Sequence, residues 1–171
     1  MIIFCLITVA LLVGADQIIK LLIIKNFDLF ESVSVIKFGK QKIFDLTYTL
    51  NDGAGWSIFS GKRIFLILIT SVFMIGVIIF LIKNAKSSKF LTLSMLLIIS
   101  GGVGNLIDRI FRNGKVVDYI ETKFINFPIF NFADICVVIG AIMFLAYILF
   151  IEKSHNKKTA VEIKSEGETN E

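Results

Sequence analysis

Apolar runs without a single charged residue fill positions 64–82, 90–107 and 135–151. At 1.5 Å per residue each would make a helix about 25–29 Å long, close to the hydrocarbon thickness of a bilayer. A fourth apolar run covers 1–24 and is broken only by Asp16 and Lys20. Its alternative reading is a cleaved leader, because Val13-Gly14-Ala15 offers the small residues at which leaders are cut. No Lys or Arg precedes the run, however, and the apolar stretch resumes after Ala15. The pattern predicts four spans, at about 2–24, 64–82, 90–109 and 134–151.

The intervals between spans differ in character. The first, 25–63, holds two stretches with strand-like alternation, 32–38 and 43–50. In the second stretch Phe44, Leu46, Tyr48 and Leu50 fall on one face, with Asp45, Thr47 and Thr49 on the other. Gly39-Lys40 between the stretches suits a turn. A small sheet resting on the outer membrane surface is expected there, with 110–133 as a second outer loop over a site. The predicted class is a mainly α membrane protein, with four transmembrane helices and a small extracytoplasmic β-sheet.

Composition supports a membrane protein. Hydrophobic residues make up 56% of the 171 positions and charged residues 19%, with a mean hydropathy of +0.82. Soluble domains average about 45–50% and 25%. A single proline and 17 phenylalanines exclude disordered and Pro-rich chains. The basic residues set orientation. Lys83, Lys86 and Lys89 crowd one short link, and Lys153, Lys157 and Lys158 follow the last span, so both regions should face the cytoplasm. Both termini are then inside, and 25–63 and 110–133 face outward. Trp56, Tyr119, Phe124, Phe127 and Phe130 lie near the outer boundaries, as an aromatic belt would. Residues 1–153 read as one domain, and 154–171 as a disordered cytoplasmic tail.

A charge inside a span costs roughly 2.5–3.5 kcal/mol on insertion scales, so each one needs a reason. Asp16 lies about 21 Å along the first helix, in its outer half, and Lys20 follows at i+4 on the same face. Asn105, Asp108 and Arg109, spaced i, i+3, i+4, share a face about 22–29 Å along the third helix. Asp134 opens the fourth helix, with Asn131 just before it. Asn51 and Gly53 end the strand that returns to the membrane, and Asp118 lies in the third loop. Three helices and two loops thus bring polar side chains to one level. Interfacial solvation accounts for Lys62, Arg63, Arg112 and Lys115, whose long chains snorkel. Short side chains such as Asp16, Asn105 and Asp134 cannot. Asp16 and Lys20 alone could be a structural ion pair; the whole set reads better as a site. Ser100-Gly101-Gly102-Val103-Gly104 reads as a close helix–helix contact rather than a phosphate loop.

The residue types narrow the chemistry. There is no HExxH, and the only histidine, His155, is in the tail. Cys5 and Cys136 have no histidine to pair with, and they lie near opposite ends of the membrane, which argues against a disulfide. A serine–lysine dyad from Ser57 or Ser60 with Lys62 or Lys20 is weaker, because serines there suit turns and caps. Two carboxylates remain, Asp118 and Asp134. Two close acids share a proton, so that one activates water while the other hydrogen-bonds a scissile carbonyl.

Asp16-Gln17-x-x-Lys20, Asn51-x-Gly53-Ala54, Gly101-Gly102-x-Gly104-Asn105-x-x-Asp108-Arg109, Val116-Val117-Asp118-Tyr119 and Phe127-Pro128-x-Phe130-Asn131-x-Ala133-Asp134 occur in this order. In these motifs the chain resembles bacterial lipoprotein signal peptidase (signal peptidase II), from the first helix to about Lys153. The resemblance implies a membrane aspartic endopeptidase that removes signal peptides from diacylglyceryl-modified prolipoproteins, cutting before the lipidated cysteine. It implies Asp118 and Asp134 as the catalytic pair and Asn51, Gly53, Asn105, Arg109 and Asn131 around the substrate. Asp16, Lys20 and Asp108 would organise the site. Gly55-Trp56 and Tyr119 depart from the usual Ala-Phe and Phe, which bears on the lipid-facing rim. No metal, other cofactor or nucleic-acid partner is expected; the partners are the prolipoprotein and membrane lipid, and the protein is expected to be a monomer in the bacterial cytoplasmic membrane. The alternative is a small proton- or ion-coupled transporter, which would spread acids through the membrane depth and carry inverted repeats. The inner halves of these helices are almost purely apolar.

Overall fold

Long uninterrupted apolar segments can satisfy their backbone polar groups in lipid only as helices, and four helices dominate the computed structural model. It describes residues 2–53, 58–84 and 88–152. Trp56 and Gly55 of the expected rim, Ser57, Lys86 and the tail lie outside the described residues. The helices are α1 (Ile2–Asn26), α2 (Arg63–Asn84), α3 (Lys89–Phe111) and α4 (Phe132–Ala146), the last continuing into a π-helical turn, Tyr147–Glu152. All four are long and apolar enough to cross a membrane, α4 being counted to Phe150 with its π turn. Residues such as Ile3, Leu11, Ile64, Phe73 and Ile142 are exposed in the isolated chain, the outward face expected of a protein whose solvent is lipid.

α3 is the central helix and packs against α1, α2 and α4. Its glycines permit the close approach. A Cβ on Gly101 would run into the Ala133 carbonyl of α4, and one on Gly102 into the Met74 sulfur of α2. On Gly104 it would lie 2.6 Å from an Asp16 carboxylate oxygen of α1. The glycine stripe is therefore a packing surface on three sides, and it also admits Asp16 to the helix junction.

The sheet has three antiparallel strands in the order β1 (Ser32–Phe38), β2 (Gln41–Asn51) and β3 (Val116–Thr122). The alternating segments of the first loop form β1 and β2, joined at Gly39 in the left-handed region (φ 60). β3 is a departure from the sequence expectation, which left this segment as loop. Val116, Val117, Asp118 and Tyr119 are all buried, so the two-residue alternation that marks a half-exposed strand is missing. The β2–β3 register sets Thr49 opposite Asp118 and Asn51 opposite Val116.

Tyr119 also differs from expectation. It is not part of an outer aromatic belt or rim: at 4% exposure it joins Ile23 and Val117 in the core between α1 and the sheet. Its hydroxyl accepts the Phe132 N–H at 3.2 Å, which gives the buried phenol a partner. Arg63 is likewise no freely solvated residue. It donates to the Asn113 side chain and the Ile110 carbonyl, both at 2.9 Å. That clamps the turn after α3, where Asn113 and Gly114 take positive φ.

Candidate active site

Asp134 owes its position to the start of α4. Asn131 caps the helix, accepting the Asp134 N–H at 3.0 Å, while the Asp134 carboxylate accepts the Asn131 N–H at 3.0 Å. This reciprocal capping box satisfies two donors that a helix start leaves unpaired. The other Asp134 oxygen accepts from the Asn105 amide at 2.7 Å. Asp118 projects from β3 and accepts from Asn51 at 3.0 Å and from Asn131 at 2.6 Å. One residue, Asn131, therefore holds both carboxylates: Asp118 through its side chain and Asp134 through its backbone.

Burial and the charge of Asp134 push the Asp118 carboxyl up to about 7, against the hydrogen bonds from Asn51 and Asn131 and the positive charge of Lys20. An acid in that range holds a proton near neutrality, as a shared-proton pair requires.

The other polar residues support this pair. Arg109 donates to the Gly53 carbonyl at 3.0 Å, and the Gly53 N–H in turn meets the Asn51 side chain at 2.9 Å. The buried Nε of Arg109 has no partner among the described residues. Lys20, with none of its side chain exposed, pairs with Asp16 and Asp108 at 2.9 Å each and donates to Asn105 at 3.1 Å. Asp16 also accepts the Ala133 N–H, and Asp108 the Val117 N–H, both at 3.1 Å. This buried ion cluster ties α1, α3, α4 and β3 together directly behind the carboxylates.

All ten residues singled out in the sequence fall in one continuous hydrogen-bond network. They divide by access to the cavity. Asn51, Asn105, Arg109, Asp118 and Asp134 line a cavity of about 410 Å³, whereas Asp16, Lys20 and Asp108 are buried behind it. Gly53 and Asn131, expected around the substrate, are buried too and support the lining residues from outside the cavity. Two further members have no site role in the sequence expectation. Gln17 donates to Asp16, Asp108 and the Gly104 carbonyl at 3.0–3.1 Å. Arg112, expected to be a solvated end residue, pairs with Asp108 and donates to Gln17; its i+4 spacing from Asp108 was the available signal. The apolar wall, from Phe127 to Phe130 with Val116, Ile135, Val138 and Ile139, was not legible as lining either. Among the described residues, no group of three or more His, Cys, Asp or Glu is placed to hold a metal ion.

The network is confined to one level, which does not favour a transporter. The family model described as signal peptidase (SPase) II matches residues 8–150. A protein of Enterococcus faecalis named lipoprotein signal peptidase is 41% identical over 85% of this chain and 87% of its own length. One of Halothermothrix orenii, with the same name, is 42% identical over 86% of this chain and 96% of its own. A bacterial membrane enzyme solved by the in meso method superposes with a TM-score of 0.79 at 33% identity, covering 90% of this chain and 91% of that one. The chain thus belongs to the signal peptidase II family, and it is an integral membrane peptidase.

Proposed function

We propose that Asp118 and Asp134 are the catalytic pair of an aspartic endopeptidase. The observation that carries this is the cavity lined by both carboxylates, each of them held by the buried Asn131. With one proton between them, the ionised acid takes a proton from water as the water attacks the scissile carbonyl. The protonated acid donates to the carbonyl oxygen, and later a proton passes to the leaving amine. Asn51, Asn105 and Arg109 border the substrate, while Gly53 and Asn131 act from behind them, Gly53 by accepting from Arg109 and Asn131 by holding both carboxylates. Asp16, Lys20 and Asp108 hold the helices in register.

The substrate is a prolipoprotein carrying a diacylglyceryl-modified cysteine, cut just before that residue. A lipid-anchored substrate presents its scissile bond near the membrane surface, and the polar level of the helices lies at that depth. The enzyme acts as a monomer in the bacterial cytoplasmic membrane, with both termini cytoplasmic and the site near the outer face. Residues 1–153 form the peptidase domain, and the 154–171 tail is dispensable. Purified protein should cleave a lipidated preprolipoprotein and not its unlipidated form; failure to cleave either would overturn the reading. With Cys5 and Cys136 replaced, Gly39→Cys should react with impermeant thiol reagents in intact cells and Lys86→Cys should not. The opposite pattern would reverse the topology.

A further inference from the structure

A second cavity meets the first at the carboxylates. About 250 Å³ in volume, it shares Asn105, Arg109, Asp134 and Val138 with the main cavity and runs between α2 and α4 over α3. A third cavity of about 310 Å³ continues it inward, sharing Phe73 and Ile98 and reaching Gly76, Phe80, Met95 and Phe144. α2 and α4 both pack on α3 but have no extended interface with each other. They meet where Phe80 and Phe144 pack edge to face, ring centres 5.6 Å apart. The result is a lateral groove with a polar top and an aromatic floor. Phe73 and Val138, 60% and 56% exposed, flank its mouth toward the lipid.

We propose that this groove seats one acyl chain of the substrate's diacylglyceryl group, and that the Phe80–Phe144 contact sets how long a chain fits. The inference rests on the peptidase reading above. Its length suits a chain: Asp134 and Phe144 are ten residues apart on α4, roughly 15 Å, the depth of one leaflet of an about 30 Å hydrocarbon core. Its chemistry excludes the peptide. Below Asn105, Arg109 and Asp134, Thr70 is the only polar side chain among the described residues that line it, so an extended backbone finds almost no partners there. The Phe80–Phe144 contact, with ring centres 5.6 Å apart, closes the inner end of the groove to a helix about 10–12 Å across. The groove gains little by solvation, since lipid tails are as apolar as its walls. Its effect is positional: a chain held along α3 fixes the glyceryl group, and with it the neighbouring peptide bond, beside the carboxylates.

Gly76 provides the test, because it lines the groove and a Cβ there meets nothing within 4 Å, so a side chain can begin there without a clash at its first carbon. Wild type and Gly76→Phe are compared on one preprolipoprotein carrying dioctanoyl or dipalmitoyl glyceryl groups. Gly76→Phe should lower kcat/KM about tenfold on the dipalmitoyl substrate and within about twofold on the dioctanoyl one. Retained turnover of the short-chain substrate also reports a folded protein. Phe80→Ala should act oppositely, improving a diarachidoyl substrate relative to dipalmitoyl. Equal effects on all chain lengths, no effect from either variant, or sensitivity to signal-peptide length in place of acyl length would each overturn the assignment. Wild-type turnover of the dipalmitoyl substrate separates this outcome from failure of the peptidase reading.

Discussion

Lys20 and Asn105 are joined by a 3.1 Å hydrogen bond from the buried ammonium to the amide oxygen. That bond decides which way the Asn105 amide faces: with its oxygen occupied by a cation, its NH₂ group is turned to Asp134 at 2.7 Å. Asn131 donates to the same oxygen at 3.1 Å. A residue of the first helix, placed behind the carboxylates, thereby orients a donor to one of them.

Removing either carboxylate should all but stop turnover. Asp118→Asn and Asp134→Asn each keep the side chain's size while abolishing proton transfer. Each should lose about a thousandfold or more in single-turnover rate, and the double variant little beyond that, because partners in one step are strongly non-additive. Single-turnover cleavage of a lipidated substrate measures this. Substantial activity in either single variant would remove that residue from the pair.

Stability and catalysis should separate at Asn131. Asn131→Ala loses the helix cap, at about 1 kcal/mol, together with the donor to Asp118. Asn131→Ser restores a capping oxygen but cannot reach Asp118 as the amide does. The thermal midpoint in detergent should therefore recover in the serine variant while kcat stays low. Recovery of both would show that Asn131 acts only through the helix start.

Lys20→Met should be among the most damaging substitutions to folding. It leaves Asp16 and Asp108, both fully buried, facing each other without their shared cation. Breaking a buried ion pair from one side costs about 3–5 kcal/mol. Chemical unfolding in detergent would detect the loss, and an unchanged midpoint would deny the cluster its structural role.

The raised Asp118 acid has a definite pH signature. Between about pH 4 and pH 7 the folded protein keeps a proton that the unfolded chain, with an ordinary carboxyl near 3.8, has released. Stability therefore falls as pH rises through that window, and the full loss is reached above about 7. Asp118→Asn lacks this contribution, so its melting temperature should fall less than that of wild type between about pH 4.5 and pH 8. Parallel profiles would contradict it. The catalytic rate should also decline above about pH 7, as the shared proton is lost.

The pattern of apolar and polar residues specifies the four spans, the class and the residue types of the site. The uncharged runs at 64–82, 90–107 and 135–151 have one low-energy solution in lipid, and short polar side chains at one depth cannot all be solvated by snorkelling. Alternation was enough for β1 and β2, since each exposes one face. The tertiary structure alone decided the rest. β3 is buried on both faces and carries no alternation, so the strand that presents Asp118 reads as loop in sequence. Tyr119 was assigned to the rim because aromatic residues near a boundary commonly sit there, whereas the sheet folds over it and turns it into core. Arg63 and Arg112 looked like solvated ends because their partners, Asn113 and Gln17, are 50 and 95 residues away in the chain. The groove between α2 and α4 is likewise invisible in sequence: it is a space left where two helices meet the same third helix, and no local pattern encodes a gap between neighbours.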